Sequence, residues 1–254
     1  MNGAESEMKF GSLEVLGVRV DRVDSLHALK AIASFLNTPG CKQVVTLNPE
    51  YVMRAGEDLE LKRLINASEL IVPDGTGIVW ASRLSGQPLK DRVTGSNLLP
   101  EIARLCAARG ESLFLLGGRP DVAELTAAKL LEQNPALEIA GVSSNDPDDS
   151  LDPQTIAEIN DSGATILAVA YGCPKQDFWI DKNRGDLTSV RVAIGVGGSF
   201  DFVSGQIPRA PVIMQKLGLE WLFRLWLEPE RARRMAALPR FAVNVLKSRG
   251  NSEA

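Results

Sequence analysis

The 254-residue chain contains one histidine and three cysteines, and each scarcity closes off a class of chemistry. His27 falls inside a helical pattern, away from any strand end, which disfavours Ser-His and Cys-His catalysis and histidine-based metal sites. Cys41, Cys106 and Cys173 are odd in number, far apart and in no Cys-x-x-Cys spacing, so they read as reduced packing residues, not as a disulfide frame or a zinc site. No stretch approaches the roughly 18 apolar residues of a membrane span, and Met1 to Phe10 lack the apolar core of a secretion signal. A folded cytosolic chain is expected. Low-complexity sequence is also missing, and with 44% hydrophobic residues the chain can bury a full core as one large domain or one domain with a small appendage.

Charge is present but unevenly spread. Residues 206–254 hold nine Lys/Arg against four acids, a net of +5, while residues 1–205 carry −9. The basic segment also carries Trp221, Phe223, Trp226 and Phe241. It suits an anionic membrane surface, a phosphate-bearing substrate or nucleic acid, and equally an ordinary helix with a solvated basic face.

Short β-branched runs alternate with helical patterns, which predicts an α/β fold: a Rossmann-like, largely parallel sheet flanked by helices, with a helical C-terminal appendage. Strands are expected at Leu13–Val20, Gln43–Thr46, Leu70–Val72, Ser112–Leu116, Leu137–Val142, Thr165–Ala170 and Val190–Ile194. Helices are expected at Ser25–Leu36, Pro49–Ala67, Gly77–Leu84, Asn97–Arg109, Asp121–Gln133, Pro153–Asn160 and Pro174–Asn183, with Ser25 and Asp121 as N-caps. Pro208 and Pro211 end the alternation, which divides the chain into an α/β domain, 1–205, expected to carry any site, and a basic helical appendage, 206–254. That appendage reads as helical from Val212, with fresh starts at Glu228-Pro229 and near Pro239.

Ligands of open parallel sheets bind at the carboxyl ends of the strands, which singles out four junctions: Thr46-Leu47-Asn48-Pro49-Glu50, Pro73-Asp74-Gly75-Thr76-Gly77, Tyr171-Gly172-Cys173-Pro174-Lys175-Gln176, and Gly195-Val196-Gly197-Gly198-Ser199-Phe200-Asp201. At the second, Asp74 is placed as a shielded rim carboxylate suited to general-base work, although Pro-Asp-Gly is also plain turn chemistry with Asp74 capping the next helix. Gly195, Gly197 and Gly198 offer backbone N–H groups to a phosphate, but the third glycine of a dinucleotide fingerprint would fall at Phe200. Asp146-Pro147-Asp148 matches a metal-binding Asp-x-Asp pattern, yet it lies in a run of turn formers and reads as a solvent loop.

Thr46-Leu-Asn-Pro-Glu50, Val72-Pro-Asp-Gly-Thr-Gly77, Arg92-Val-Thr-Gly-Ser96 and Tyr171-Gly-Cys-Pro-Lys-Gln176 occur in order. They are followed by Gly195-Val-Gly-Gly-Ser-Phe-Asp201, Arg209-Ala-Pro211, Gly218-Leu-Glu-Trp221 and Arg224-Leu-Trp-Leu-Glu-Pro-Glu-Arg231. Together these resemble the WecG/TagA/CpsF family of bacterial glycosyltransferases over about Leu13 to Arg240.

The resemblance implies an inverting enzyme that needs no metal or other cofactor. It would move a sugar, N-acetylmannosamine or another hexose, from a UDP-sugar to a polyprenyl-diphosphate-linked sugar for teichoic acid or other exopolysaccharide. By motif position Asp74 is the implied base and Arg92 a side chain near the diphosphate, with Thr46, Asn48 and Gln176 around the donor sugar. Gly195, Gly197, Gly198 and Asp201 join them as the fourth junction. Arg224, Arg231 and Arg234 resemble the arginines of an appendage that closes over the site and favours association with the inner membrane face, so a cytoplasmic, peripheral enzyme without a nucleic-acid partner is implied. Leu47 and Asn97 stand where many relatives carry proline and aspartate. An unbroken helix would bring the three arginines near one face, although Pro229 is placed to kink it. A homo-oligomer is left open. The competing readings are a nucleotide-binding oxidoreductase, resting on the glycine-rich rim alone, and a non-catalytic membrane-docked protein.

Overall fold

The computed structural model describes residues 10–147, 152–216 and 218–252. In chain order the elements are β1 (Ser12–Val15), β2 (Val18–Asp21), α1 (Ser25–Phe35), β3 (Lys42–Leu47), α2 (Pro49–Glu57), α3 (Leu59–Ala67), β4 (Leu70–Pro73), α4 (Thr76–Leu84), α5 (Gly95–Arg109), β5 (Ser112–Gly117) and α6 (Val122–Gln133). Then follow β6 (Glu138–Ser143), α7 (Asp152–Asp161), β7 (Ile166–Ala170), α8 (Lys175–Asn183), β8 (Val192–Gly195), α9 (Ser199–Val203), α10 (Val212–Lys216), α11 (Glu220–Leu227), α12 (Ala232–Met235) and α13 (Ala237–Ser252), with a 3₁₀ turn at Pro229–Arg231 between α11 and α12.

Six strands form one parallel sheet in the order β4-β3-β8-β7-β5-β6. Its strands are apolar runs because both faces are covered: Val44, Val72, Leu115 and Ile194 pack on one side, and Val45, Ile71, Leu116 and Ala193 on the other. The first side carries side chains of α1, α5, α6 and α9, such as Ile32, Ile102, Leu130 and Phe200. The second is covered by α2, α3, α4, α13 and the β1–β2 hairpin over one half, and by α7 and α8 over the other.

The structure corrects three local expectations. Leu13–Val20 is a hairpin, turned at Leu16 (φ 53°) and Gly17 (φ 79°), the two positive-φ positions of a tight hairpin turn. The apolar alternation does slip phase there, from Leu13 and Val15 to Val18 and Val20. Pro49–Ala67 is two helices, because Asp58 ends α2 and caps α3 by accepting the Leu61 N–H at 3.0 Å. Asp24, not Ser25, caps α1, through the N–H of His27; His27 itself is an exposed helix-face residue. Asp121 does precede α6, but no side-chain cap bond forms.

The C-terminal segment folds back on the sheet domain. Phe241 and Val245 of α13 are buried in the same cluster as Tyr51 of α2 and Ile78 of α4, whereas α11 has no fully buried residue. Phe241→Ala is therefore expected to cost about 3–5 kcal/mol, the range for emptying a well-packed aromatic site. Chemical denaturation, with hydrogen exchange followed along α13, measures this; an unchanged midpoint would show that α13 does not contribute to the core.

Candidate active site

The turns that follow all six parallel strands converge on a cavity of about 820 Å³, as the common direction of the strands requires. Thr46, Asn48, Asp74, Arg92, Gln176, Gly197, Gly198, Asp201, Arg224 and Arg234 all line it. Gly195 sits just beneath, its carbonyl accepting the Thr46 hydroxyl at 2.9 Å. Asn48 caps α2 through the Tyr51 N–H at 3.0 Å. The side chain of Arg231 lies outside the described residues.

Asp74 is seated where β4 ends. Its N–H donates to the Leu47 carbonyl at 2.8 Å, which continues the sheet by one residue. Gly75 then turns the chain at φ 105°, a conformation open to glycine, and acts as the N-cap of α4 without a side-chain bond. The capping reading of Asp74 is thereby set aside: its carboxylate faces the cavity and takes a long 3.4 Å contact from the Gly95 N–H at the start of α5. Burial pushes its pKa up to about 6; the Gly95 N–H and the Arg92 charge pull it down, Glu220 pushes it up, and Arg224 pulls it down. A carboxylate so placed is mostly ionised at neutral pH and more basic than an exposed one.

In the glycine turn after β8 most of the amides expected to cradle a phosphate are already bonded within the protein. The N–H groups of Val196, Gly197 and Ser199 are engaged within the protein, by the Val169 carbonyl at 2.9 Å, Gln176 Oε1 at 2.9 Å and the Val196 carbonyl at 3.1 Å. Its glycines instead leave room for close neighbours. A Cβ on Gly195 would lie 2.4 Å from Gln176 Nε2, and one on Gly198 would lie 2.5 Å from Arg224 Nη2.

Arg224 thus delivers its charge onto the turn. Its guanidinium lies 4.6 Å from the centroid of the Phe202 ring and pairs with Asp201 at 3.6 Å and Glu228 at 2.6 Å. Glu220, from the same helix, pairs with Arg92 at 3.5 Å and Arg209 at 2.8 Å. Arg234 meets the buried Glu50 at 3.0 Å, which also pairs with Arg54. The unbroken-helix alignment of Arg224 and Arg234 does not hold, because α11 ends before the Pro229 turn and Arg234 belongs to α12. Both nevertheless reach the cavity from their separate helices.

Asp146 lines the far end of the cavity, beyond β6; its expected pair member Asp148 lies outside the described residues. Among the described residues, no group of three or more His, Cys, Asp or Glu is arranged to hold a metal. Cys41 and Cys106 are buried and Cys173 is half-buried at the cavity wall; burial raises all three thiol pKa values, to about 12 for the first two.

The sequence model of the Glycosyl transferase WecG/TagA/CpsF family matches residues 13–254. The chain belongs to this family. Among its relatives, an N-acetylglucosaminyldiphosphoundecaprenol N-acetyl-beta-D-mannosaminyltransferase of Bacillus subtilis (strain 168) is 36% identical over 211 residues, 83% of this chain and 81% of that protein. Proteins of the same name from Bacillus spizizenii and Staphylococcus aureus (strain MRSA252) are 34% and 30% identical over 90% and 96% of this chain, and 89% and 96% of their own lengths. The chain is accordingly a glycosyltransferase, and the oxidoreductase alternative falls.

Several cavity residues of this WecG/TagA/CpsF transferase were not singled out from the sequence. Glu50 and Glu220 lie within the motifs of other site residues, and Phe202, the seat of Arg224, follows directly on Asp201. Their signal is adjacency to motif residues; their partners lie outside those motifs, Arg234 for Glu50, Arg92 for Glu220 and Arg224 for Phe202. The contact on Gly198 gives a direct test. Gly198→Ala is expected to push the Arg224 guanidinium off the turn and lower transfer at least about tenfold, the loss of one charge-assisted contact, with the melting temperature within a few degrees of the parent. Undiminished transfer would show that Arg224 is not needed on the turn.

Proposed function

We propose that the protein is an inverting transferase that moves a sugar of the N-acetylmannosamine type from a UDP-sugar to a polyprenyl-diphosphate-linked sugar, in cell-surface polysaccharide synthesis. The observation that carries this reading is Asp74: a carboxylate of raised pKa on the floor of a deep cavity, with Arg92 and Arg224 close enough to influence it. The acceptor class is supported by the relatives, whose names specify a lipid-linked N-acetylglucosamine acceptor and N-acetylmannosaminyl transfer.

In the proposed reaction Asp74 takes the proton of the acceptor hydroxyl as that oxygen bonds to the anomeric carbon from the face opposite the leaving group. The bond from the anomeric carbon to the diphosphate oxygen breaks, and its electron pair leaves with UDP. Arg92 and Arg224 meet the growing negative charge, the part a divalent ion plays in metal-dependent transferases, and Arg234 stands further along the wall. Thr46, Asn48 and Gln176 border the same cavity on the side of β3 and α8 and are assigned to the donor sugar. Displacement on one face with departure from the other gives inversion.

The appendage, residues 206–254, is assigned two tasks. Gly218, Glu220, Arg224 and Arg234 close one wall of the cavity, while Ile213, 73% exposed, and Trp226, 75% exposed, are not part of its lining. No helix among the described residues is long and apolar enough to cross a membrane. With a net charge of +5 on the segment, these apolar side chains suit shallow insertion at an anionic surface, on the cytoplasmic face where a lipid-linked acceptor is presented.

Asp74→Asn is expected to lower kcat by about 10²- to 10⁴-fold, the usual worth of a positioned base, with UDP binding retained. Because only the ionised carboxylate accepts the proton, kcat/KM of the parent should rise with pH through about 6 and then level off. Transfer should persist in chelator. Steady-state assays with UDP-N-acetylmannosamine and a lipid-linked N-acetylglucosamine check all three; an active Asp74→Asn enzyme would remove the base, and abolition by chelator would remove the metal-free step. In vesicle sedimentation, Trp226→Glu should weaken binding to anionic liposomes about tenfold or more, since it exchanges a large exposed apolar group, the one proposed to enter the lipid surface, for a charge, and unchanged binding would count against insertion of this face.

A further inference from the structure

Asp201 and Glu220 are each shared between two arginines, one on each carboxylate oxygen. Asp201 Oδ2 lies 3.6 Å from Arg224 and Oδ1 lies 2.8 Å from Arg119. Glu220 Oε2 lies 3.5 Å from Arg92 and Oε1 lies 2.8 Å from Arg209. In both cases the long contact is the one to Arg92 or Arg224, and the short one goes to a second arginine. Arg119 is itself part of the cavity lining, whereas Arg209 is not.

Arg209 lies between α9 and α10, and its guanidinium is fixed on three sides. Nη1 donates to Ser96 Oγ at 3.1 Å and to Asn97 Oδ1 at 3.0 Å in the first turn of α5, Nε faces Glu220, and the group lies 5.6 Å from the centroid of the Phe202 ring. Glu220 exposes only 14% of its side chain, so water screens its charge weakly and the arginine it faces feels that charge. With Arg92 as its sole partner, Glu220 could turn both oxygens onto one guanidinium fork, the geometry carboxylates and arginines favour. That would neutralise a charge a diphosphate needs. Arg209 takes one of the two oxygens, while Arg92 is kept in place by its own bond from Nη2 to the Gln215 carbonyl at 3.1 Å.

We propose that Arg209 is a positioning residue of the transfer site: it holds the Glu220 carboxylate off Arg92, so that Arg92 is seated but only loosely bridged and can take a diphosphate. Arg209 itself touches no substrate in this role. The consequence for a ligand rests on the reading of the cavity as a UDP-sugar site, but the placing of Glu220 does not.

The test reads both. A crystal structure of full-length Arg209→Gln should show both Glu220 oxygens drawn to within about 3 Å of Arg92, and calorimetry should find UDP bound about tenfold more weakly, the scale of one charge-assisted contact. Uridine, which has no phosphate, should bind within about twofold of its affinity for the parent. In a Glu220→Gln background, Arg209→Gln should change UDP affinity by less than about twofold, because no carboxylate is left to release. General damage to the cavity would weaken uridine as well and would persist in that background. Should Arg209→Gln fail to fold because Glu220 is left without its partner, the double variant Arg209→Gln/Glu220→Gln, which removes both charges together, should fold and bind UDP within about twofold of Glu220→Gln. The proposal is overturned if Glu220 keeps its parental place in Arg209→Gln, if UDP affinity is undiminished, if the loss is the same with and without Glu220→Gln, or if the double variant does not fold. If the parent protein binds no UDP while Glu220 still moves onto Arg92 in Arg209→Gln, the positioning role stands and the nucleotide reading falls.

Discussion

All six strands of the main sheet run the same way, and most of the site follows from that constraint. A parallel strand delivers its carboxyl end to the same rim as its neighbours, so residues as far apart as Thr46, Asp74, Gln176 and Gly198 are brought to one cavity without any local sequence relation. The arrangement also fixes chemistry. Asp74 continues the β3–β4 ladder through its own N–H, so its backbone is held by the sheet while its half-buried carboxylate faces the cavity, and that partial shielding is the largest contribution to its raised basicity.

The cavity is electrostatically prepared, with its arginines held in advance. Arg92 leans on Glu220, Arg224 on Asp201 and Glu228, and Arg234 on Glu50. Such pairs fix long side chains in place, which lowers the entropy lost when a ligand is bound. They also mean that an anionic ligand must compete with carboxylates already present. At 3.5–3.6 Å the Arg92–Glu220 and Arg224–Asp201 contacts are looser than the 2.6 Å Arg224–Glu228 contact, so the partners best placed to yield to a diphosphate are Glu220 and Asp201. Glu220 has a second consequence: by raising the Asp74 pKa it couples the charge of the appendage to the basicity of the group on the floor.

Much of this was legible in the sequence because a strand followed by a polar turn is a local pattern. Asp74, Asn48 and the Gly195–Asp201 turn were found that way, and so was the class of fold. What was not legible depends on contacts between distant segments. Gly195, Gly197 and Gly198 suggest an anion cradle, but a glycine-rich turn has the same sequence whether its amides face a ligand or its bare Cα atoms receive a neighbour. Only the fold shows that Gln176 and Arg224 fill that space. The β1–β2 hairpin and the α2–α3 break were missed through weaker local signals, a phase slip at Leu16-Gly17 and an Asp N-cap at Asp58, which apolar residues on both sides obscured.

The appendage separates into an anchored part and a loose part, and this limits how the cavity can open. Phe241 and Val245 share a core cluster with Ile78 and Tyr51, so α13 cannot leave without exposing the main core. By contrast α11 buries no residue completely and is held to the body through the ion pairs of Glu220 and Arg224 and the packing of Arg224 on Phe202. Segments with few buried apolar contacts are the ones that open at low free-energy cost. The stretch from α10 to α12 thus forms the cavity wall with the fewest apolar ties to the core, and α13 the firmly packed end of the appendage. Since the ion pairs that hold this stretch use Arg92 and Arg224, an anion bound between the two guanidiniums would compete with the carboxylates that fix the wall, so the electrostatics of the cavity and the packing of its wall are not independent.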